Sequence, residues 1–164
     1  MRLVLMGVSG CGKTAIGLEL SKKLKIPFYD ADDFHSAENK EKMSHGIPLT
    51  DDDRLPWLKT LAHLLKEKSG LILGCSALKE SYREILRVSP DIQFIYLKGT
   101  FQLIHDRLKE RHGHFFDPHL LKSQFADLEE PKNAIVVDIH KKIHEIVQDI
   151  CSSLNKLKNN VDTD

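Results

Sequence analysis

Gly7-Val8-Ser9-Gly10-Cys11-Gly12-Lys13-Thr14 set glycines, a lysine and a hydroxyl at the spacing G-x-x-x-x-G-K-[ST]. The chemistry this spacing allows is the holding of phosphate. Glycines let the backbone curl until successive N–H groups point at phosphate oxygens. A helix starting just behind them adds the partial positive charge of its N-terminus. Lys13 then reaches the β- and γ-phosphates of a nucleotide, and the Thr14 hydroxyl is placed to hold Mg²⁺. The competing explanation is a Gly-rich turn with an incidental lysine. The apolar run before it and the helical pattern behind it weigh against that. Cys11, inside the cradle, is either a small residue lending only its backbone or an oxidation-sensitive thiol.

A phosphate cradle serves kinases, GTPases and motors alike. Neither D-x-x-G nor N-K-x-D occurs in the chain, so a GTPase switch is not expected. A small-molecule kinase needs a carboxylate near the acceptor hydroxyl, where positioning and proton acceptance are the protein's tasks. Asp30-Ala31-Asp32 closes the second predicted strand and, by alternation, sends two carboxylates to one side. Asp32 is assigned to the acceptor hydroxyl and Asp30 to a water of the Mg²⁺ shell; Asp32 or Asp33 could instead cap a helix. Arg107 and Arg111 lie one helical turn apart, leading into a segment at 112–117 that breaks the pattern. A lid there would bring arginine over the transferred group and exclude water. Arg111 is assigned to phosphate contact, Arg107 to adenine-side packing or phosphate contact.

The elements that must position these groups follow from short apolar runs alternating with amphipathic ones. Strands are predicted at 2–6, 28–29, 70–75, 92–97 and 134–138. Helices are predicted from 13 to Pro27, then at 33–44, 53–65, 79–87, 101–111 and 140–157, with a frayed tail over 158–164. The last helix carries Ile143, Ile146, Val147, Ile150, Leu154 and Leu157 on one stripe. This is the pattern of an α/β fold with a parallel sheet covered on both faces, whose ligands bind beyond the C-terminal strand ends. At 164 residues one domain is expected, with a substrate-binding helical region at about 32–68. Lys+Arg and Asp+Glu balance at 24 each, so no basic field argues for nucleic acid, while a local basic site stays open because net charge does not fix how charge is distributed. The N-terminal apolar run is too short to span a membrane, and Cys11, Cys75 and Cys151 have no metal or disulfide spacing. A reduced, cytoplasmic protein is expected. His112 with His114, and His140 with His144, lack a third ligand at zinc spacing.

Several segments resemble the P-loop gluconokinases, relatives of shikimate and nucleoside monophosphate kinases. They are M-G-V-S-G-C-G-K-T (6–14), F-Y-D-A-D-D-F-H (28–35), N-K-E-K-M (39–43) and G-I-P-L-T-D-D-D-R-L-P-W-L (46–58). C-S-A-L-K-E-S-Y-R (75–83), F-I-Y-L-K-G (94–99), R-H-G-H-F-F (111–116) and Q-F-A-D-L-E-E-P (124–131) continue the likeness. The resemblance implies a three-layer P-loop kinase fold with a five-stranded parallel sheet, and a homodimer. It also implies ATP and Mg²⁺, and conversion of D-gluconate to 6-phosphogluconate, with Asp32 orienting or deprotonating the C6 hydroxyl. Ser36 stands where proline is common in that family, Cys11 where serine is, and Thr50 where asparagine is. The Ser36 change is expected to loosen the start of its helix.

Gluconate carries a carboxylate and hydroxyls, so its site needs a cation and hydrogen-bonding groups. Arg54, Lys79 and Arg83 are the candidate cations and His35 a candidate hydroxyl partner. Arginine's two-pronged grip on carboxylate ranks Arg54 and Arg83 above Lys79. Arg54 could equally be tied up by Asp51, Asp52 and Asp53, which read as the charged start of a helix and, alternatively, as a metal site. Trp57 reads as core. Ser76 either contacts substrate or caps the helix after it. The acceptor could also be shikimate or a nucleoside monophosphate, or the chain could be a non-catalytic nucleotide-binding module.

Overall fold

In the computed structural model, which describes residues 1–112 and 117–162, five strands run parallel in the order β2-β3-β1-β4-β5. They are β1 (Arg2–Met6), β2 (Phe28–Asp30), β3 (Leu71–Gly74), β4 (Ile92–Lys98) and β5 (Ile135–Asp138). The helices are α1 (Lys13–Leu24), α2 (Ala37–Ser44), α3 (Asp51–Glu67), α4 (Glu80–Leu86), α5 (Phe101–His112), α6 (Pro118–Asp127) and α7 (Ile143–Val161), with a 3₁₀ turn at Ala31–Phe34. None of the described helices is long and apolar enough to cross a membrane.

Alternation along the strands builds two cores. Leu3 and Leu5 of β1 join Ile72, Ile95 and Leu97 on one face, beneath Ile16 and Leu20 of α1 and Ile146 and Ile150 of α7. Val4 and Met6 point the other way, joining Leu73, Phe94 and Tyr96 beneath Trp57, Leu61 and Leu65 of α3. Each such side chain contributes roughly 1.5–3 kcal/mol by leaving water. From Leu3 to Met6 the central strand is therefore apolar on both faces, and its C-terminal end cannot shift without moving both cores. The cradle starts there, with β3 on one side and β4 on the other, where the strand order changes direction.

Several boundaries differ from expectation. The predicted helix at 33–44 is split by His35 and Ser36 into the 3₁₀ turn and α2. Ser36 accepts from Asn39 N–H at 3.1 Å, so it caps α2 and anchors its start instead of loosening it. Thr50 caps α3 with a reciprocal box to Asp53, the service an asparagine side chain could also give. α6 has no counterpart in the sequence-based pattern. α7 runs on to Val161, so 158–161 are helical instead of frayed, while Ile143 and Leu157 at its ends are exposed. His140 precedes α7 and shares no helix with His144. Of the expected lid, residues 113–116 with His114 lie outside the described residues.

Candidate active site

The cradle is built for an anion by what it lacks. α1 starts at Gly12, in the left-handed conformation at φ 99°, and no side chain caps it. Its first turn holds no acidic residue, whereas the first turn of α3 holds Asp51, Asp52 and Asp53. The positive end of α1 thus keeps its N–H groups for a ligand. Gly10, at φ 85°, lies so close under α5 that a Cβ there would meet Leu108 at 2.7 Å. Lys13 folds along the loop, its Nζ donating to the carbonyls of Gly7 at 2.9 Å and Val8 at 3.2 Å. The Thr14 side is open to solvent, and Cys11 is buried. Gly7 N–H donates to Ser76 O, tying the loop's first residue to the segment after β3. Since α4 starts behind Lys79, Ser76 does not cap it.

Asp30 ends β2, and its Oδ1 accepts from Asp32 N–H at 2.9 Å, turning the chain into the 3₁₀ helix. Asp32 therefore sits one turn beyond the strand, and period-two alternation is not what pairs the two carboxylates. They still meet at the same mouth. The Asp32 pKa is raised, first by loss of water in the concave mouth and then by the Asp30 charge, with Lys13 pulling it down and Asp33 adding to the rise. The residue is accessible to solvent, but the surrounding walls thin its hydration. Cys75, enclosed at the end of β3, has its thiol pushed up to about 12 by burial and feels Lys13, Asp32 and Asp30 together. Gly74 pairs with Asp30 across β3 and β2, and a Cβ on it would lie 3.7 Å from Lys13 Cβ, so Lys13 and the Asp30–Asp32 turn border one mouth.

On the acceptor side, His35 stacks on Trp57 with ring centroids 4.1 Å apart, and the Trp57 indole donates to Ala31 O at 2.7 Å. Asn39 Nδ2 donates to Asp53 O at 2.8 Å and faces His35 Nδ1 at 3.3 Å. The bond to a carbonyl fixes which end of the Asn39 amide is nitrogen, so Nδ1 of His35 is the acceptor and Nε2 carries the proton. Burial, then Arg54 and Lys40, lower the His35 pKa and keep the ring neutral. Arg54 donates to Tyr82 OH at 3.1 Å and lies 4.0 Å from Asp51. Tyr82 OH in turn donates to Asp51 Oδ1, which also pairs with Lys79 at 3.3 Å. Arg54 and Lys79 thus flank one carboxylate at the mouth.

Arg83 is elsewhere. Its side chain is 1% exposed, and it donates to Glu80 at 2.9 Å, Ala77 O at 2.7 Å, Leu78 O at 3.1 Å and Glu129 O at 2.8 Å. The expectation that it grips a substrate carboxylate does not match this placement. It holds the loop in which Ala77 takes a left-handed φ of 46°, an arrangement that costs about 1–3 kcal/mol without such support. On the far side of the cradle, a cavity of about 1100 Å³ is lined by Gly10, Cys11, Gly12, Ile16, Arg107, Arg111 and the stretch from His140 to His144. Arg107 is steadied there by donating to Ile139 O at 2.7 Å. Missed by sequence reasoning were Gln124, which touches Ser9 twice, and Tyr82, which links the two cations. The Asp117-Pro118 pair, a cap followed by proline at the first helical position, was the available cue for α6.

The family model for shikimate kinase matches residues 9–155. The probable gluconokinase of Mus musculus is 43% identical over 177 residues, covering 93% of this chain and 96% of its own length. The thermoresistant gluconokinase of Escherichia coli (strain K12) is 45% identical over 165 residues and covers 94% of each chain. The chain belongs to the shikimate kinase family and, within it, to the gluconokinases. Among solved structures, a gluconokinase from Sinorhizobium meliloti 1021 has a TM-score of 0.91 at 39% identity, covering 98% of this chain and 94% of its own. The shikimate kinase of Aquifex aeolicus VF5, at 22% identity and a TM-score of 0.61, shares the fold.

Proposed function

We propose that the chain transfers the γ-phosphoryl group of ATP to the C6 hydroxyl of D-gluconate, giving 6-phospho-D-gluconate and ADP. The observation that carries this reading is that the cradle after β1 and the Asp30–Asp32 turn after β2 open on one mouth, bridged by Gly74, in a chain similar to gluconokinases over nearly its whole length. ATP lays its phosphates in the Gly7–Thr14 cradle with adenosine in the cavity beside Arg107. Arg111, on the cavity rim, neutralises charge on the phosphates. Asp32 accepts a hydrogen bond from the C6 hydroxyl and aims its oxygen at the phosphorus. Its raised pKa brings it nearer to the proton it must take, while Lys13 keeps the carboxylate form accessible. His35 Nε2–H donates to a substrate oxygen. Arg54 and Lys79 attract the gluconate carboxylate, and Arg83 fixes the loop that carries Lys79.

Thr14 and Asp30 offer the hard oxygen donors that magnesium takes when phosphates and water complete its shell. The described residues hold no cluster of three or more His, Cys, Asp or Glu side chains suited to a metal. Magnesium, when bound, supplies neutralisation of phosphate charge. The homodimer and a cytoplasmic location belong to this proposal. The three free cysteines suit a reducing compartment.

A coupled ADP-release assay over gluconate, shikimate and nucleoside monophosphates tests the assignment. Turnover on gluconate is expected; appreciable turnover on shikimate with none on gluconate would reverse it.

A further inference from the structure

Gln124 of α6 holds the phosphate cradle by two reciprocal bonds. Ser9 N–H donates to its Oε1 at 2.6 Å, and its Nε2 donates to Ser9 Oγ at 2.8 Å. An amide accepts and donates at once here; a carboxylate could keep both contacts only by accepting from the Ser9 hydroxyl and would add a negative charge, and a hydrocarbon makes neither bond. Ser9 closes the first arm of the loop, Gly7 to Ser9. The Lys13 ammonium rests on the Gly7 and Val8 carbonyls of that same arm. Because this lysine serves the β- and γ-phosphates, the arm flanks the terminal phosphate end of a bound nucleotide.

α6 also reaches the acceptor side. Beyond its C-terminus, Glu129 N–H donates to Leu78 O at 2.8 Å, and the Glu129 carboxylate accepts from Glu80 N–H at 2.9 Å. Those residues border Lys79. The helix itself is seated by buried Leu121 and by an edge contact between Phe125 and Phe101 of α5, centroids 5.7 Å apart. The helix therefore touches the cradle arm at Gln124, and the segment just after it touches the loop around Lys79 at Glu129.

We propose that Gln124 is a positioning residue that fixes the Ser9 arm in the geometry that receives the terminal phosphate. It thereby discriminates nucleoside triphosphate from diphosphate. The proposal rests on the nucleotide half of the reading above and not on the identity of the acceptor. Losing the two bonds loosens the arm facing the third phosphate and leaves the Gly12–Thr14 side, at the start of α1, in place.

The test uses the full chain with Mg²⁺, comparing wild type, Gln124→Ala and Gln124→Glu. Calorimetry gives the affinities for ADP and for a non-hydrolysable ATP analogue, alongside melting temperature and kcat with gluconate. Gln124→Ala is expected to weaken the analogue by about tenfold, the size of one to two net hydrogen bonds, with ADP changed by less than about twofold. Gln124→Glu, which sets a negative charge beside the terminal phosphate, is expected to lose more of the analogue than the alanine variant does. Melting temperatures should stay within about 3 °C of wild type. An unchanged ratio of the two affinities, or an equal loss for both nucleotides with a fall in melting temperature, overturns the assignment of Gln124 alone. A wild-type chain that binds neither nucleotide overturns the cradle reading together with it.

Discussion

Replacing Arg83 with methionine separates two roles for that side chain, because methionine keeps much of the stem's packing and removes only the guanidinium. Four hydrogen bonds go, to Glu80, Ala77 O, Leu78 O and Glu129 O. Leu78 O keeps the Glu129 N–H as a donor, and the Glu80 carboxylate is exposed enough to rehydrate. The uncompensated losses are the Ala77 and Glu129 carbonyls, at about 1–3 kcal/mol for each buried group left without a partner. Glu129 is exposed, so water reaches it more readily and the sum lies near the lower half, about 2–4 kcal/mol. Against a urea slope of about 2 kcal/mol/M, the unfolding midpoint should fall by about 1–2 M. Gluconate turnover should fall as well, since the Ala77 loop loses its tether. A variant with an unchanged urea midpoint and a KM for gluconate raised more than about tenfold would refute this, because surface substitutions usually stay within about 0.5 kcal/mol. Arg83 would then be a substrate ligand.

Asp32→Asn should retain ATP binding by calorimetry and lower phosphoryl transfer by about 10²- to 10⁴-fold in the ADP-release assay. Its melting temperature should not fall: the Asp32 pKa is raised in the fold, so the ionised form works against folding above pH 3.8 and a neutral amide relieves that. Normal turnover would remove Asp32 from the mechanism. For His35 the folded pKa is lowered, so its contribution is complete above the ordinary value of 6.5 and is lost as pH falls through the folded value. Urea midpoints measured from pH 8 to 5 should show this decline in wild type and not in His35→Gln. Asp53 is held at about 2 by Thr50 and Lys42, so its stabilisation is present above 3.8 and lost on acidification toward 2. Asp53→Asn should flatten that limb of the acid-unfolding curve; an unchanged limb would mean that the α3 cap carries no linkage.

The cradle was legible because its cause is local. Glycine spacing, the strand ending at Met6 and the periodicity of Ile16 and Leu20 all lie within about two dozen residues. Asp32 is singled out by type and neighbourhood, but alternation gives the wrong geometry for it: the Asp30 side chain captures Asp32 N–H and bends the chain where a strand is expected. Arg83 was misread because helix periodicity reports a face and not what closes over it. That cover is Glu129, 46 residues along the chain. The contact of Gln124 was out of reach for the same reason, its partner Ser9 lying 115 residues away. At the ends of α7, Ile143 and Leu157 kept the period but ran past the sheet that buries Ile146 to Leu154.

The most direct measurement is phosphorus NMR of purified chain incubated with ATP, Mg²⁺ and D-gluconate. A phosphomonoester coupled to the two protons of the terminal carbon should grow in step with ADP in wild type, and should be all but absent in Asp32→Asn. Inorganic phosphate alone, or an ester formed equally well without Asp32, would contradict the meeting of phosphate and alcohol at that carboxylate.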